Sequence, residues 1–135
     1  MHVRDLMTAN PVTVAPEDSL ETAMTKMVSR QIRALPVVDN GVLAGILTDR
    51  DLKMALGPDA RSMDLDSVDP RQLEGSVEWF MTPGVATVEA DADLAAATQV
   101  LVDMRVGALP VVHNGDLVGI LSVTDVLKEA VRLFA

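Results

Sequence analysis

The sequence repeats itself, and that duplication limits what the chain can become. Sliding it by 74 positions lays Val3–Leu52 on Val77–Val126 without a gap, and 20 of those 50 positions are identical. The identities include Met7-Thr8 with Met81-Thr82, Thr13-Val14 with Thr87-Val88, Leu20 with Leu94 and Ala23 with Ala97. They are densest over Ala34–Val38, Asn40-Gly41, Gly45–Leu47 and Asp51. Self-similarity at a fixed offset marks one fold unit used twice. A unit of about 50–60 residues buries too little surface to stand comfortably alone. Two copies packed about a pseudo-twofold axis, with a cleft where they meet, are therefore the expected arrangement.

Each copy parses alike. Val3–Met7 predicts a short helical lead-in, and Pro11–Val14 a short strand. Asp18 or Ser19 opens a helix, with Glu21 as a capping partner, and Leu20, Ala23, Met24, Met27 and Val28 form one apolar stripe. In the second copy Leu94, Ala97, Leu101 and Val102 do the same. Asn40-Gly41 and Asn114-Gly115, each between two apolar runs, are strong signals for two-residue hairpin turns. A helix follows each hairpin, from Asp49 to about Leu56 and from Val123 to near Phe134. The order is β-α-β-β-α, an α/β unit, with a first repeat at 1–57, an acidic linker at 58–76 and a second repeat at 77–135. So long a stretch without structure is unusual in a compact chain, and a helical turn is expected near Ser62–Leu65.

Composition narrows the function classes. With 49% hydrophobic residues in 135, the chain has a real core, and without cysteine it has neither disulfides nor thiolate chemistry. A net charge of −9 repels nucleic acid and anionic lipid; adaptation to salt would produce the same acidity. No apolar run reaches the roughly 18 residues of a membrane span, and Met1–Asp5 lacks a signal peptide's apolar centre. A cytoplasmic protein is the expectation. His2 and His113 have no partners at metal-ligand spacing. No nucleophile–base pair, serine elbow or Walker loop is present, so neither catalytic nor metal-binding residues are expected.

The motif that carries chemistry is Thr48-x-x-Asp51, returning as Ser122-x-x-Asp125. At a helix start this is a capping box, contributing about 0.5–2 kcal/mol. It is also a hydroxyl beside free N–H groups, suited to a phosphate oxygen, followed by an acceptor-only carboxylate suited to ribose hydroxyls. Two copies after the same Gly-Ile-Leu favour the second use. Pro36 and Pro110 lie inside strand patterns, which predicts edges or bulges there. Such strands resist aggregation and leave backbone at Ala34-Leu35 and Ala108-Leu109 free to read a flat heterocycle. Arg33, Arg50 and Arg105 are the cations near these places.

Val3-Arg4-Asp5-Leu6-Met7-Thr8, the Leu-Pro-Val-Val hairpin and Gly-Ile-Leu-Thr-Asp-Arg-Asp together resemble a CBS domain, and the second copy resembles its usual partner in a CBS pair or Bateman module. The resemblance covers nearly the whole chain and is to the stand-alone two-CBS proteins of bacteria and archaea. It implies a non-catalytic regulatory module, needing no cofactor, that binds an adenosyl ligand (AMP, ADP, ATP or S-adenosylmethionine) in clefts between repeats. By this resemblance Asp51 and Asp125 hold ribose, and Thr48 and Ser122 the phosphate side. Thr13-Val14 with Ala34-Leu35-Pro36, and Thr87-Val88 with Ala108-Leu109-Pro110, contact adenine. A homodimer acting on an unknown protein client is expected. Gly107 and Thr124 stand where the first repeat has Arg33 and Arg50, so the first site is expected to be the tighter for phosphorylated ligands. The competing reading is a ligand-free dimeric interaction protein in which the two motifs only cap helices.

Overall fold

Asn40 and Gly41 have φ of 49° and 83°, and Asn114 and Gly115 of 51° and 84°. This is the paired left-handed backbone that a two-residue turn between twisted strands demands. The turns join β2 (Ala34–Asp39) to β3 (Val42–Thr48) and β6 (Ala108–His113) to β7 (Asp116–Ser122) in the computed structural model, which describes residues 1–56 and 70–135. Register runs from Ala34 opposite Thr48 to Asp39 opposite Val42, and from Ala108 opposite Ser122 to His113 opposite Asp116. In both hairpins it slips one residue after the predicted place, between Val37 and Val38 and between Val111 and Val112. The prolines fit for a definite reason. Val14 N–H donates to the Pro36 carbonyl and Val38 N–H to the Val14 carbonyl, so residues 36 and 38 turn their backbone away from β3. The donor that Pro36 lacks is not one the hairpin needs. β2 ends its sheet as expected, whereas β6 has β7 on one side and the two-residue β5 (Val88–Glu89) on the other.

The described chain forms two compact units, Val12–Gly84 and Met1–Pro11 with Val85–Ala135. The linear repeats and these units are different divisions, because each lead-in segment packs into the unit built from the other repeat. In the first unit Val77 N–H donates to the Asp18 carbonyl, Glu78 N–H to Pro16 and Leu20 N–H to Gly75, at 2.8–2.9 Å. In the second, Val3 N–H donates to Ala92, Arg4 N–H to Ala90 and Leu94 N–H to Met1, also at 2.8–2.9 Å. Under the 74-residue shift these are the same three bonds with the repeats exchanged. Each lead-in then adds a two-residue strand: β1 (Thr8–Ala9) beside β7, and β4 (Thr82–Pro83) beside β3.

The Val12–Gly84 unit carries the sheet β2-β3-β4 with α2 (Leu20–Arg30), α3 (Asp49–Leu56) and α4 (Pro70–Leu73). Its core joins Val14, Leu20, Met24, Met27, Leu35, Val37, Leu47, Leu52, Leu73 and Val77. The apolar stripe on α2 is narrower than the sequence predicts, since Val28 is half exposed. Ser19 caps α2, accepting from Thr22 N–H at 3.1 Å. Thr22, not Glu21, holds the third helical position from which a side chain answers the cap, so Glu21 faces solvent. The strand predicted at Pro11–Val14 is reduced to one parallel bridge, Val14 beside Val37. In the second unit the ladder extends because Ala90 N–H reaches the Val112 carbonyl at 2.9 Å. Its counterpart is Pro16, which has no N–H to give.

The other unit carries the sheet β1-β7-β6-β5 with α1 (Val3–Leu6), α5 (Leu94–Met104) and α6 (Val123–Phe134). Val3, Ala97, Leu101, Leu109, Val111 and Leu121 are buried in its core, while Val102, on the predicted stripe, is mostly exposed. Both units thus carry the α/β repeat order. The turn expected near Ser62–Leu65 lies outside the described residues; α4, at the end of the 58–76 segment, seats Leu73 in the first core. No described helix is long and apolar enough to cross a membrane.

Two outcomes follow from the lead-in contacts. A Cβ on Gly45 would stand 2.6 Å from the Thr82 carbonyl oxygen, so Gly45→Ala should lower stability by about 1–3 kcal/mol in urea unfolding. Val3 is fully buried in the second core; Val3→Ala should cost about 1.5–3 kcal/mol. Native-state hydrogen exchange should then show the amides of β7 losing protection before those of β3, although β3 is nearer in sequence.

Candidate functional site

The predicted site residues gather into one cluster in each unit. In the first, Ala34 lies opposite Thr48, Asp49 N–H donates to the Arg33 carbonyl at 2.9 Å, and Val14 pairs with the Pro36–Val38 backbone. Strand and helix start are therefore tied by main chain alone. Val14 and Leu35 point into the core and Pro36 is buried, so this segment turns its side chains inward, while the Val14 N–H and carbonyl are spent on β2. At the helix entrance Thr48 N–H and Thr48 Oγ1 both donate to Asp51 Oδ2, at 2.9 and 3.0 Å, and Asp51 N–H donates to Thr48 Oγ1 at 3.2 Å. That is a reciprocal capping box.

Two further residues complete this cluster. Thr82 Oγ1, on β4, donates to Asp51 Oδ1 at 3.2 Å. Lys26 Nζ, on α2, donates to the Thr13 carbonyl at 2.8 Å. Neither was singled out from the sequence. The Met-Thr identity at 7-8 and 81-82 was the available signal for Thr82; Lys26 left none, since its counterpart is Val100. Arg33 and Arg50 are exposed and form no ion pair among the described residues, while Lys53 pairs with Asp49 at 3.8 Å.

The second cluster repeats the frame with fewer bonds. Ala108 lies opposite Ser122, Val123 N–H donates to the Gly107 carbonyl at 2.9 Å, and Val88 pairs with Val111. Leu109 and Pro110 are buried, and Thr87 is exposed. Ser122 N–H donates to Asp125 Oδ2 at 2.9 Å and Asp125 N–H to Ser122 Oγ at 3.1 Å. Asp125 Oδ1 has no hydrogen-bond partner among the described residues, and Thr8, the counterpart of Thr82, makes no bond to it. Arg105 serves through its backbone: at φ 55° it ends α5 in the left-handed conformation, as Gln31 ends α2.

A groove of about 440 Å³ lies elsewhere, between α1, α5 and α6, with Leu6, Leu94, Val102, Val126 and Leu133 on its walls. None of the predicted site residues lines it. Among the described residues no three His, Asp or Glu side chains converge as metal ligands do.

The CBS-domain profile matches residues 3–58 and again 75–132. A CBS domain-containing protein of Bacillus subtilis, YhcV, is 31% identical over 123 residues, covering 91% of this chain and 81% of its own length. A CBS domain-containing protein of Dictyostelium discoideum is 31% identical over 134 residues, covering 97% and 92%. The chain also matches inosine-5'-monophosphate dehydrogenase of Thermoplasma acidophilum at 32% identity, but over only 21% of that enzyme. Among solved structures, AcuB of Vibrio cholerae superposes with a TM-score of 0.81 at 30% identity, covering 99% of this chain and 93% of that one. The Arabidopsis thaliana CBS-pair protein CBSX2, solved in complex with AMP, superposes at 0.79 with 29% identity, covering 99% and 98%. Two matched segments spanning most of the sequence, over a frame of bonds that recurs at the same spacing, make the chain a member of the CBS-domain family that carries the domain twice.

Proposed function

We propose that the chain is a non-catalytic regulatory module that binds an adenosyl nucleotide, AMP, ADP, ATP or S-adenosylmethionine, at the two clusters. The observation that carries this reading is how Asp51 and Asp125 are bonded: in each, the bonds accepted from the helix start fall on Oδ2, and Oδ1 stays outside the capping box. A carboxylate accepts about four hydrogen bonds, so a capping Asp retains capacity for the two donors of a ribose diol. The hydroxyl and the N–H groups at the same helix start suit a phosphate oxygen. The AMP complex of CBSX2, at 29% identity over 99% of this chain, supports the ligand class. On this reading Thr13-Val14 with Ala34–Pro36, and Thr87-Val88 with Ala108–Pro110, present backbone to the adenine edge. The module senses energy state or a metabolite in the cytoplasm, and its protein client is unidentified.

The second reading, a dimeric interaction protein whose Asp51 and Asp125 only cap helices, is favoured by the capping bonds themselves. Calorimetry separates the two. Binding of at least one of AMP, ADP, ATP or S-adenosylmethionine below about millimolar concentration, unaccompanied by hydrolysis, is the expected result. Asp125→Ala should abolish its share of that heat as well as lowering stability by about 0.5–2 kcal/mol. Heat from none of the four, with the same stability loss, would leave the capping reading standing. Turnover of any of them in a clean preparation would overturn the non-catalytic assignment.

We also propose a homodimer. Leu127, Val131 and Phe134 recur along α6 and are 59%, 69% and 85% exposed, an apolar face of the kind that marks an interaction surface. Light scattering should give twice the 14.4 kDa chain mass; a monomer at micromolar concentration would contradict it.

A further inference from the structure

We infer that Thr82 is an internal competitor for the first cluster, so that the second cluster is the one open to a nucleoside. This inference rests on the adenosyl reading above and sets the order in which the two clusters fill.

The argument is a count of acceptor positions. Among the described residues Asp51 already accepts three hydrogen bonds, two from Thr48 on Oδ2 and one from Thr82 on Oδ1. Of about four positions on a carboxylate, one remains, whereas a vicinal diol donates twice. A ribose can therefore engage Asp51 fully only by taking the place of the Thr82 hydroxyl. Asp125 accepts one bond from within the unit, from Ser122 N–H. It retains capacity for both ribose hydroxyls with nothing displaced.

The adenine side is biased in the same direction. The Thr13 carbonyl, an acceptor for an exocyclic amine, already takes Lys26 Nζ at 2.8 Å. Val100 occupies the corresponding place in the second unit and cannot donate. A carbonyl has a second lone pair, so Lys26 lowers the acceptor capacity there without removing it. Arg33 and Arg50 act on phosphates instead, which makes the two effects separable: a ligand without phosphate reports the competition alone.

Thr82 also links occupancy to the backbone. Its own β4 pairs with Ile46 and Gly45 of β3, so displacing its hydroxyl loosens one attachment of the lead-in strand. Trp79, three residues upstream and 76% exposed, sits on that segment as a natural reporter.

The test is an amide-resolved NMR titration of the full chain with adenosine. Amides at the start of α6 and at the start of α3 report the two clusters separately in one sample. In the wild type the α6 start should titrate at lower concentration. Thr82→Val, which removes the hydroxyl but keeps the branched shape of an exposed strand residue, should tighten the α3 response about two- to tenfold, the net worth of one hydrogen bond. It should leave the α6 response unchanged, and Thr82→Ser should behave as wild type at both. If both starts respond and Thr82→Val leaves the α3 response unchanged or weaker, the competition is refuted while the adenosyl reading stands. If no amide responds to adenosine up to millimolar concentration, in the wild type or in Thr82→Val, both fall.

Discussion

A carbonyl oxygen standing 2.6 Å from where a Gly45 side chain would begin is the contact on which the first unit depends. Because Gly45 has no Cβ, the lead-in strand lies against β3 closely enough to pair with it. That pairing places Thr82 opposite Ile46, five residues ahead of Asp51. The hydroxyl of Thr82 then reaches Asp51 across elements far apart in sequence. Gly119 admits the Thr8–Ala9 strand beside β7 in the other unit, with the Thr8 carbonyl 2.9 Å from its missing Cβ, but there the hydroxyl makes no bond to the aspartate. An absent side chain thus admits the lead-in strand to each sheet, and in the first unit that strand brings a hydroxyl to the carboxylate on the following helix.

The two aspartates show why capping and binding are poor alternatives to set against each other. The capping bonds use Oδ2 and the N–H of the residue three positions earlier, Thr48 or Ser122. They fix the carboxylate plane at a helix start, where the N-terminal N–H groups favour negative charge. A carboxylate held in that way is ordered before any ligand arrives, so less conformational entropy is lost on binding. The structural use prepares the chemical one.

The hairpins, the helix bounds at Asp49–Leu56 and Val123–Phe134 and the pairing of Thr48 with Asp51 were legible because each rests on local chemistry. An Asn-Gly turn needs only its own two residues, and a capping box only four. The exchange of lead-in segments was not legible. Thr8–Ala9 and Thr82–Pro83 are too short to show a strand's period, and their bonding partners lie in the other repeat. The strand expected at Pro11–Val14 failed for a reason visible only after Ala90 was seen to bond where Pro16 cannot. Lys26 and Thr82 escaped for the same kind of reason: a lysine on a helix and a threonine near a turn announce no partner.

The exchange also has a bearing on chain order. Within this 135-residue sequence, the unit Met1–Pro11 with Val85–Ala135 is assembled from two separated pieces, and Met1 and Leu133 line the same groove. Joining Ala135 to Met1 by a short linker and opening the chain before Val12 would make both units contiguous, Val12–Gly84 followed by everything else. A circular permutant of that kind would turn an interleaved pair into two modules in tandem, separable by a single cut. In the natural order the Val12–Gly84 module is completed by the lead-in of the second repeat, and the other module holds its Met1–Pro11 segment in waiting until Val85–Ala135 follows, which couples their folding through connectivity.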